Sequence, residues 1–378
     1  MNQAIDILKK LISYPTITPK ECGIYEYIAE ILGDFEVLRF DKGEVKNLFL
    51  YKKFGQGEID KNTPHFCFAG HIDVVPPGDG WKYDPFLPFI ENNFLYGRGT
   101  QDMKGGVASF LRASQLLEIQ KISEVKIISI LLTSDEEGVG IDGTRYVLDE
   151  LKKIDLLPQF AIVAEPTCDK IFGDTVKIGR RGSINGILKI KGLQGHVAYP
   201  EKCINPVELL GARLGDLAGY FLDQGDEDFL PSKIVITDIR GGMEVVNVTP
   251  NELKIMFNVR NNTLSTKETL RDYIHRVLKD IDYELELTQS SFPFKSSNTS
   301  WLVNNLLQVI KEQTGLQAKL STSGGTSDAR YFAQYGVEVV EFGVKNDRIH
   351  SLNECVCIDE IKKLSQVFLQ IANNFLRS

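Results

Sequence analysis

His65-Phe66-Cys67-Phe68-Ala69, followed at once by Gly70-His71-Ile72-Asp73, decides how the rest of the chain is read. A short unbroken run of aromatic and small apolar residues is the pattern of a strand buried on both faces, as in a parallel sheet. Here the run stops at an imidazole and a carboxylate. Three further segments share this pattern. Residues 126–132 lead into Ser134-Asp135-Glu136-Glu137-Gly138, residues 160–164 into Glu165-Pro166, and residues 337–340 into Glu341, with His350 a short loop later. Open α/β sheets place their sites at the carboxyl ends of strands, so these side chains are expected to converge on one crevice. Asp102 is expected to join them from Gly97-Arg98-Gly99-Thr100-Gln101-Asp102-Met103-Lys104-Gly105-Gly106, where glycines on both sides let the backbone approach closely at the start of a helix.

Between the apolar runs, residues 105–119 and 144–153 carry helical periodicity. Apolar strands alternating with helices define an α/β fold class, with a central, mostly parallel sheet covered by helices, expected for residues 1–179 and 293–378. The middle of the chain differs. Residues 183–190, 233–239 and 252–259 alternate partially, separated by helical stretches at 206–220 and 267–278. Residues 180–292 are therefore expected to form a small α+β domain inserted into the first, one sheet face covered by two helices. A length of 378 residues agrees with such a division, since single cores rarely grow past roughly 250 to 300 residues.

Contents of 43% hydrophobic and 25% charged residues mark a folded globular chain rather than a disordered one. Asp and Glu number 51 against 43 Lys and Arg, a net charge of -8, so no overall positive field invites nucleic acid or an acidic membrane surface. Small molecules are the expected partners. The N-terminal stretch alternates charge with apolar positions and does not read as a signal peptide, and no apolar run has the length of a membrane span. Cysteines at 22, 67, 168, 203, 355 and 357 form no CxxC pair, which indicates reduced thiols and a cytoplasmic setting.

Converging carboxylates repel one another, and without a cation several would have to be protonated at neutral pH. Imidazole and carboxylate donors without thiolate suit zinc or a related transition metal, with a position left open for water. The four positive charges of two divalent ions would be balanced by Asp102, Glu137 and Glu165 plus one hydroxide. That count leaves one acid of the Glu136-Glu137 pair free to move protons. Singly, each motif also has an ordinary structural reading. His-x-Asp serves as a hydrogen-bonded pair, an acidic run as a helix N-terminus or solvated turn, and Glu-Pro as a loop. Their joint placement after successive apolar strands is what points to a site. His65 and His275 read as structural or solvent-facing, Cys355-Val356-Cys357 as packing, and Trp81 as a loop anchor.

His71-Ile72-Asp73-Val74-Val75-Pro76-Pro77-Gly78, Tyr96-Gly97-Arg98-Gly99, Asp102-Met103-Lys104-Gly105 and Asp135-Glu136-Glu137-Gly138 resemble the di-zinc amidohydrolases and peptidases related to aminoacylase and acetylornithine deacetylase. The resemblance runs in order along essentially the whole chain. Asp79 after Gly78, Lys177-Ile178-Gly179-Arg180-Arg181-Gly182-Ser183 and Ser323-Gly324-Gly325-Thr326-Ser327-Asp328 are most similar to the desuccinylase branch of that superfamily. What the resemblance implies is a metal-binding domain holding two zinc ions per subunit, with cobalt as a substitute, and an inserted lid domain that also makes a homodimer. The implied reaction is hydrolysis of the succinyl amide of N-succinyl-diaminopimelate, in the lysine and cell-wall precursor pathway.

Position by position, the resemblance makes Asp102 the carboxylate shared by the two ions, with His71 and Glu165 on one and Glu137 and His350 on the other. It makes Glu136 the general base and Asp73 the group that orients the His71 ring. His196, in Gly195-His196-Val197-Ala198-Tyr199-Pro200, matches a histidine that reaches into a partner subunit and steadies the oxyanion. A substrate with several carboxylates needs cations, for which Arg180 and Arg260 are the candidates. Ser183, Tyr199, Gly325, Thr326 and Asn346 are candidates for neutral hydrogen bonds. The chain departs from the pattern at Thr100-Gln101, where many relatives have small residues, and at Val246-Asn247, where paired asparagines are usual, although Asn247 still offers one amide. An acetylornithine deacetylase or a dipeptidase would use the same metal residues. A non-catalytic zinc-binding protein is the remaining alternative, against which an unliganded Glu136 argues.

Overall fold

In the computed structural model, which describes residues 3–117, 122 and 124–378, the strand His65–His71 is buried at every position. It lies parallel to Lys126–Thr133, also buried throughout, and to Phe160–Val163. These three strands are unbroken apolar runs because both of their faces are covered. They sit inside an eight-stranded sheet. Its order is Glu36–Arg39, Asn47–Phe54, Lys126–Thr133, His65–His71, Phe160–Val163, Glu338–Glu341, Thr175–Lys177 and Lys319–Ser321. The His65–His71 pairings and those of Phe160–Val163 with Glu338–Glu341 and Thr175–Lys177 with Lys319–Ser321 are parallel; the others are antiparallel.

Helices Lys104–Gln115 and Ile358–Arg377 pack against one another, and Gln3–Ile12 packs against the first of them. The Phe68 ring meets Phe110 at 5.7 Å and Phe368 at 5.2 Å between centroids, which ties the central strand to both helices. Full burial of side chains of this size stabilises the unit by roughly 1.5 to 3 kcal/mol each. Gly106 is what lets the helix come so near: a Cβ there would lie 2.2 Å from the carbonyl oxygen of Ala164, the residue before Glu165. The helix expected over 105–119 ends at Gln115, with residues 118 and 119 outside the described residues; the one expected over 144–153 is present as Thr144–Lys153.

The chain divides into two compact units, one of Met1–Ile178, Ser296–Ser321 and Ser327–Ser378, the other of Gly179–Lys295 and Thr322–Thr326. The short Thr322–Thr326 segment groups with the second unit through Thr322 Oγ1, which donates to the Asp228 carbonyl, and the Ser323 carbonyl, which accepts from Arg180 Nη1 at 2.7 Å.

The second unit is built on a four-stranded antiparallel sheet in the order Ile234–Gly241, Glu252–Val259, Ser183–Lys191 and Tyr283–Ser291. Its buried core joins Ile184, Leu188, Ile255 and Phe257 of the strands to Leu270 and Ile274 of helix Lys267–Val277. Burial alternates along Glu252–Val259, as a sheet with one covered face requires. Gly186 makes room for the Phe257 ring, whose nearest carbon lies 2.0 Å from where a Cβ would stand. The helical stretch expected over 206–220 resolves into two short helices, Pro206–Gly211 and Leu214–Leu217, because Arg213 between them leaves helical geometry with φ -121° and ψ -6°.

Candidate active site

His71 ends the buried strand with its ring 1% exposed. Nδ1 lies 2.9 Å from the Asp73 carbonyl oxygen, which turns Nε2 toward the carboxylates, 3.2 Å from Asp102 Oδ1 and 3.9 Å from Glu165 Oε1. Asp73 itself is fully buried. Its carboxylate accepts the backbone N–H groups of Glu136 at 3.3 Å and Glu137 at 3.1 Å and the Thr18 hydroxyl at 2.8 Å. One carboxylate thus fixes both the end of the first strand and the turn after the second.

Asp102 faces two ways. While Oδ1 meets His71, Oδ2 lies 3.3 Å from His350 Nε2, which is 2.8 Å from Glu137 Oε1. His350 adopts a left-handed backbone with φ 59°, an uncommon conformation for a residue with a Cβ. His71, Asp102 and Glu165 place donor atoms within 4.8 Å of one another; so do Asp102, Glu137 and His350, and so do His71, Glu136 and Glu137.

Burial pushes the Glu165 carboxyl well above the ordinary range, and the Asp102 charge adds to the effect. Burial likewise raises Glu136, against the pull of His71 and with the carboxylates of Asp328, Asp102 and Glu137 reinforcing it. Asp102 moves the other way: burial opposes its charge, but His350 and His71 outweigh burial and hold it ionised. Hydrogen bonds to Asp102 and Glu137 push His350 up to about 10. Carboxyl groups this close favour a bound cation over mutual repulsion, and the mix of imidazole nitrogen and carboxylate oxygen without thiolate fits zinc or a related transition ion.

Residues 67–374 match the Peptidase family M20/M25/M40. The chain belongs to that family. The succinyl-diaminopimelate desuccinylase of Nitratiruptor sp. is 53% identical over 377 residues, covering 99% of this chain and 100% of that protein. The aminopeptidase PepT of Bacillus cereus shares the fold, with a TM-score of 0.80 at 20% identity and coverage of 100% of this chain and 98% of that one. The Bacillus subtilis YXEP protein, a dinuclear metal binding peptidase from the M20 family, superposes with a TM-score of 0.72 at 16% identity, covering 99% and 98%.

In this M20 chain the first unit brings together His71, Asp73, Asp102, Glu136, Glu137, Glu165 and His350; Asn346 is an exposed residue of the same unit whose N–H donates to the Cys168 carbonyl at 3.1 Å. Arg180, Ser183, His196, Tyr199, Asn247, Arg260, Gly325 and Thr326 belong to the second unit. There Arg180 and Ser183 are buried, whereas His196, Tyr199, Asn247, Arg260 and Gly325 are exposed. Lys104, which the Asp102-Met103-Lys104-Gly105 motif contains without an expected role, is fully buried and donates to the carbonyls of Leu11 at 3.0 Å and Tyr14 at 2.9 Å, fastening the N-terminal segment beside the Asp102 loop. His65 bonds Ser129 within the sheet at 2.7 Å, and Trp81 anchors its loop by donating to the Pro77 carbonyl at 2.7 Å. The six cysteines are free thiols, and among the described residues no helix is long and apolar enough to cross a membrane.

Proposed function

We propose that this M20 chain hydrolyses the succinyl amide of N-succinyl-L,L-2,6-diaminopimelate to L,L-2,6-diaminopimelate and succinate, a step of lysine and meso-diaminopimelate biosynthesis. The observation that carries it is a pair of donor clusters sharing Asp102, in a chain 53% identical over its length to a desuccinylase. Asp102 would be shared by two divalent cations, zinc with cobalt as a substitute, with His71 and Glu165 completing one set and Glu137 and His350 the other. When bound, such a pair lowers the pKa of water from about 15.7 toward roughly 7 and polarises the amide carbonyl.

The remaining work falls to the chain's own residues. Glu136 takes a proton from the attacking water and returns it to the departing amine nitrogen, and a carboxyl raised by its surroundings is suited to both transfers. Asp73 keeps His71 Nε2 facing the site. His196 of a second copy of the chain donates to the developing oxyanion, which makes the active form a homodimer assembled through the second unit. Arg180 and Arg260 receive substrate carboxylates through their guanidinium forks, and Ser183, Tyr199, Asn247, Gly325, Thr326 and Asn346 add neutral hydrogen bonds. A small substrate with three carboxylates, drawn from a biosynthetic pathway, agrees with a cytoplasmic protein that has no nucleic-acid or membrane partner.

The test is a comparison of substrates. Purified, zinc-loaded protein is given N-succinyl-diaminopimelate, acetylornithine and a simple dipeptide. The succinylated substrate is expected to have the highest kcat/KM by at least about tenfold, the factor that one charge-assisted contact supplies. Preference for acetylornithine or for the dipeptide would replace the reading with a deacetylase or a peptidase.

A further inference from the structure

Glu354 is fully buried, and its carboxylate meets four donors. Oε1 accepts the backbone N–H groups of Gln101 at 2.8 Å and Asp102 at 3.2 Å; Oε2 accepts that of Gly99 at 3.0 Å and Arg98 Nη1 at 2.8 Å. Three of these donors are the backbone of the loop that presents Asp102. The Glu354 carbonyl takes a further N–H from Gly97 at 3.0 Å. Glu354 also ends the loop that carries His350, just before the strand Cys355–Cys357, so a single residue joins the two loops by main chain and side chain together.

Neighbouring groups tighten the same joint. Arg98 reaches the carbonyls of Ser351 at 3.3 Å, Pro77 at 3.4 Å and His350 at 3.5 Å. Gln101, at the position where a small residue was expected, donates to Asp347 Oδ1 at 2.8 Å and the Cys355 carbonyl at 2.9 Å and accepts the Arg348 N–H at 2.9 Å. Bonds to an ionised acceptor are about twice as strong as neutral ones, and removing the acceptor leaves buried amides unpaired. None of these contacts involves His71 or Glu165. His71 is held instead by Asp73, itself anchored by Thr18 and the amides of Glu136 and Glu137.

We propose that Glu354, clamped by Arg98, is a positioning residue that sets the Asp102 carboxylate, which faces both His71 and His350, together with the loop that carries His350, while Asp73 holds the His71 ring and the Glu136–Glu137 turn. The inference rests on the metal reading given above and deepens it: Glu354 braces the one carboxylate that both cations would share. Carboxylates that brace ligands from behind typically control metal affinity by about 10- to 100-fold.

Glu354→Gln keeps the size of the side chain but turns an amide NH2 toward donors. In the metal-free protein, hydrogen exchange at the amides of Gly99, Gln101 and Asp102 is expected to accelerate by about tenfold or more, with Lys126–Thr133 unchanged. Because both cations would share Asp102, calorimetric titration with zinc alone is expected to show both equivalents weakened by about 10- to 100-fold. A merely structural role would lower the melting temperature and accelerate exchange in Lys126–Thr133 as well, and that result, or unchanged exchange or unchanged zinc affinity, overturns the proposal. Wild-type protein that takes up no zinc would refute the metal reading instead, and exchange alone then decides whether Glu354 braces the loop. Arg98→Lys, which keeps the charge but loses the fork, gives the same pattern at smaller amplitude and serves as the test should Glu354→Gln not fold.

Discussion

His71 and His196 carry the same imidazole in opposite surroundings. His71 is sealed at the end of a central strand, with Asp73 behind it and Asp102 and Glu165 in front. His196 lies exposed on a loop, its Nδ1 accepting only from the nearby Ala198 N–H at 3.1 Å among the bonds described, with the 53% exposed Tyr199 ring beside it. Val246, on the segment facing it across the His196–Val248 bridge, is 97% exposed. Burial with several partners fixes a ring for one task. Exposure among apolar neighbours leaves a ring to be completed by something outside its own unit, since clustered exposed apolar groups mark interaction surfaces. On the reading proposed above, the first unit would hold the cations and the base, and the second would supply recognition, assembly and the oxyanion donor.

The sharpest way to break that division is Glu136→Gln. It removes proton transfer from the first unit while leaving every hydrogen bond of Asp73 intact, because Asp73 accepts from the Glu136 main chain. kcat is expected to fall by about 10² to 10⁴-fold with zinc content unchanged; near-normal turnover, followed by steady-state assay beside elemental analysis, would take the base out of the first unit. His196→Ala comes next. Loss of an oxyanion donor costs about 10²- to 10³-fold in kcat, here without change in zinc content or melting temperature. Mixing the two inactive variants then separates assembly from chemistry: if His196 acts on a second copy, hybrids regain activity, and a mixture as inactive as its parts places His196 in its own subunit.

Arg180→Lys probes recognition, together with the Ser323 contact that Arg180 also makes. A charge-assisted hydrogen bond is worth about 1.5 to 3 kcal/mol, so KM for the succinylated substrate should rise by roughly tenfold or more with kcat little changed. A fall in kcat at constant KM would mean that Arg180 acts in the transition state rather than in binding the substrate.

What the sequence made legible follows from where the chemistry sits. Most of the clustered residues stand within a few positions of an unbroken apolar run, and in a parallel sheet such a run points to its own end. Asp102 and His350 lie on loops; a glycine-flanked motif marked the first, and a place shortly after the run of residues 337–340 marked the second. The strands Glu36–Arg39 and Tyr283–Ser291 gave no comparable signal, being largely exposed and mixed in composition, so that pairing with a neighbour rather than pattern makes them strands. Glu354 and Gln101 were illegible for another reason. A carboxylate after a loop looks the same in sequence whether it meets a cation or a row of backbone amides, and only the folded loop of Gly99 to Asp102 distinguishes them.

The smallest expected effect refines the comparison within a single strand. His65 and His71 open and close the same buried segment, yet burial drives His65 down to about 3, whereas the carboxylates around His71 overcome burial and raise it. His65 is thus neutral in the fold, bonded to Ser129, and takes up a proton near pH 6.5 once the chain unfolds. The unfolded state then binds more protons than the native one below that value, so stability is full above pH 6.5 and is lost as pH falls toward 3. One proton gives a slope of about 1.4 kcal/mol per pH unit at most. His65→Gln keeps a hydrogen-bonding side chain and removes this titration while leaving all others in place. Urea unfolding of both proteins should therefore show a gap that is constant above about pH 6.5 and moves in favour of the variant below it. A gap that does not change with pH would mean that His65 titrates as it does in the unfolded chain, and burial without a carboxylate would no longer be what separates the two ends of the strand.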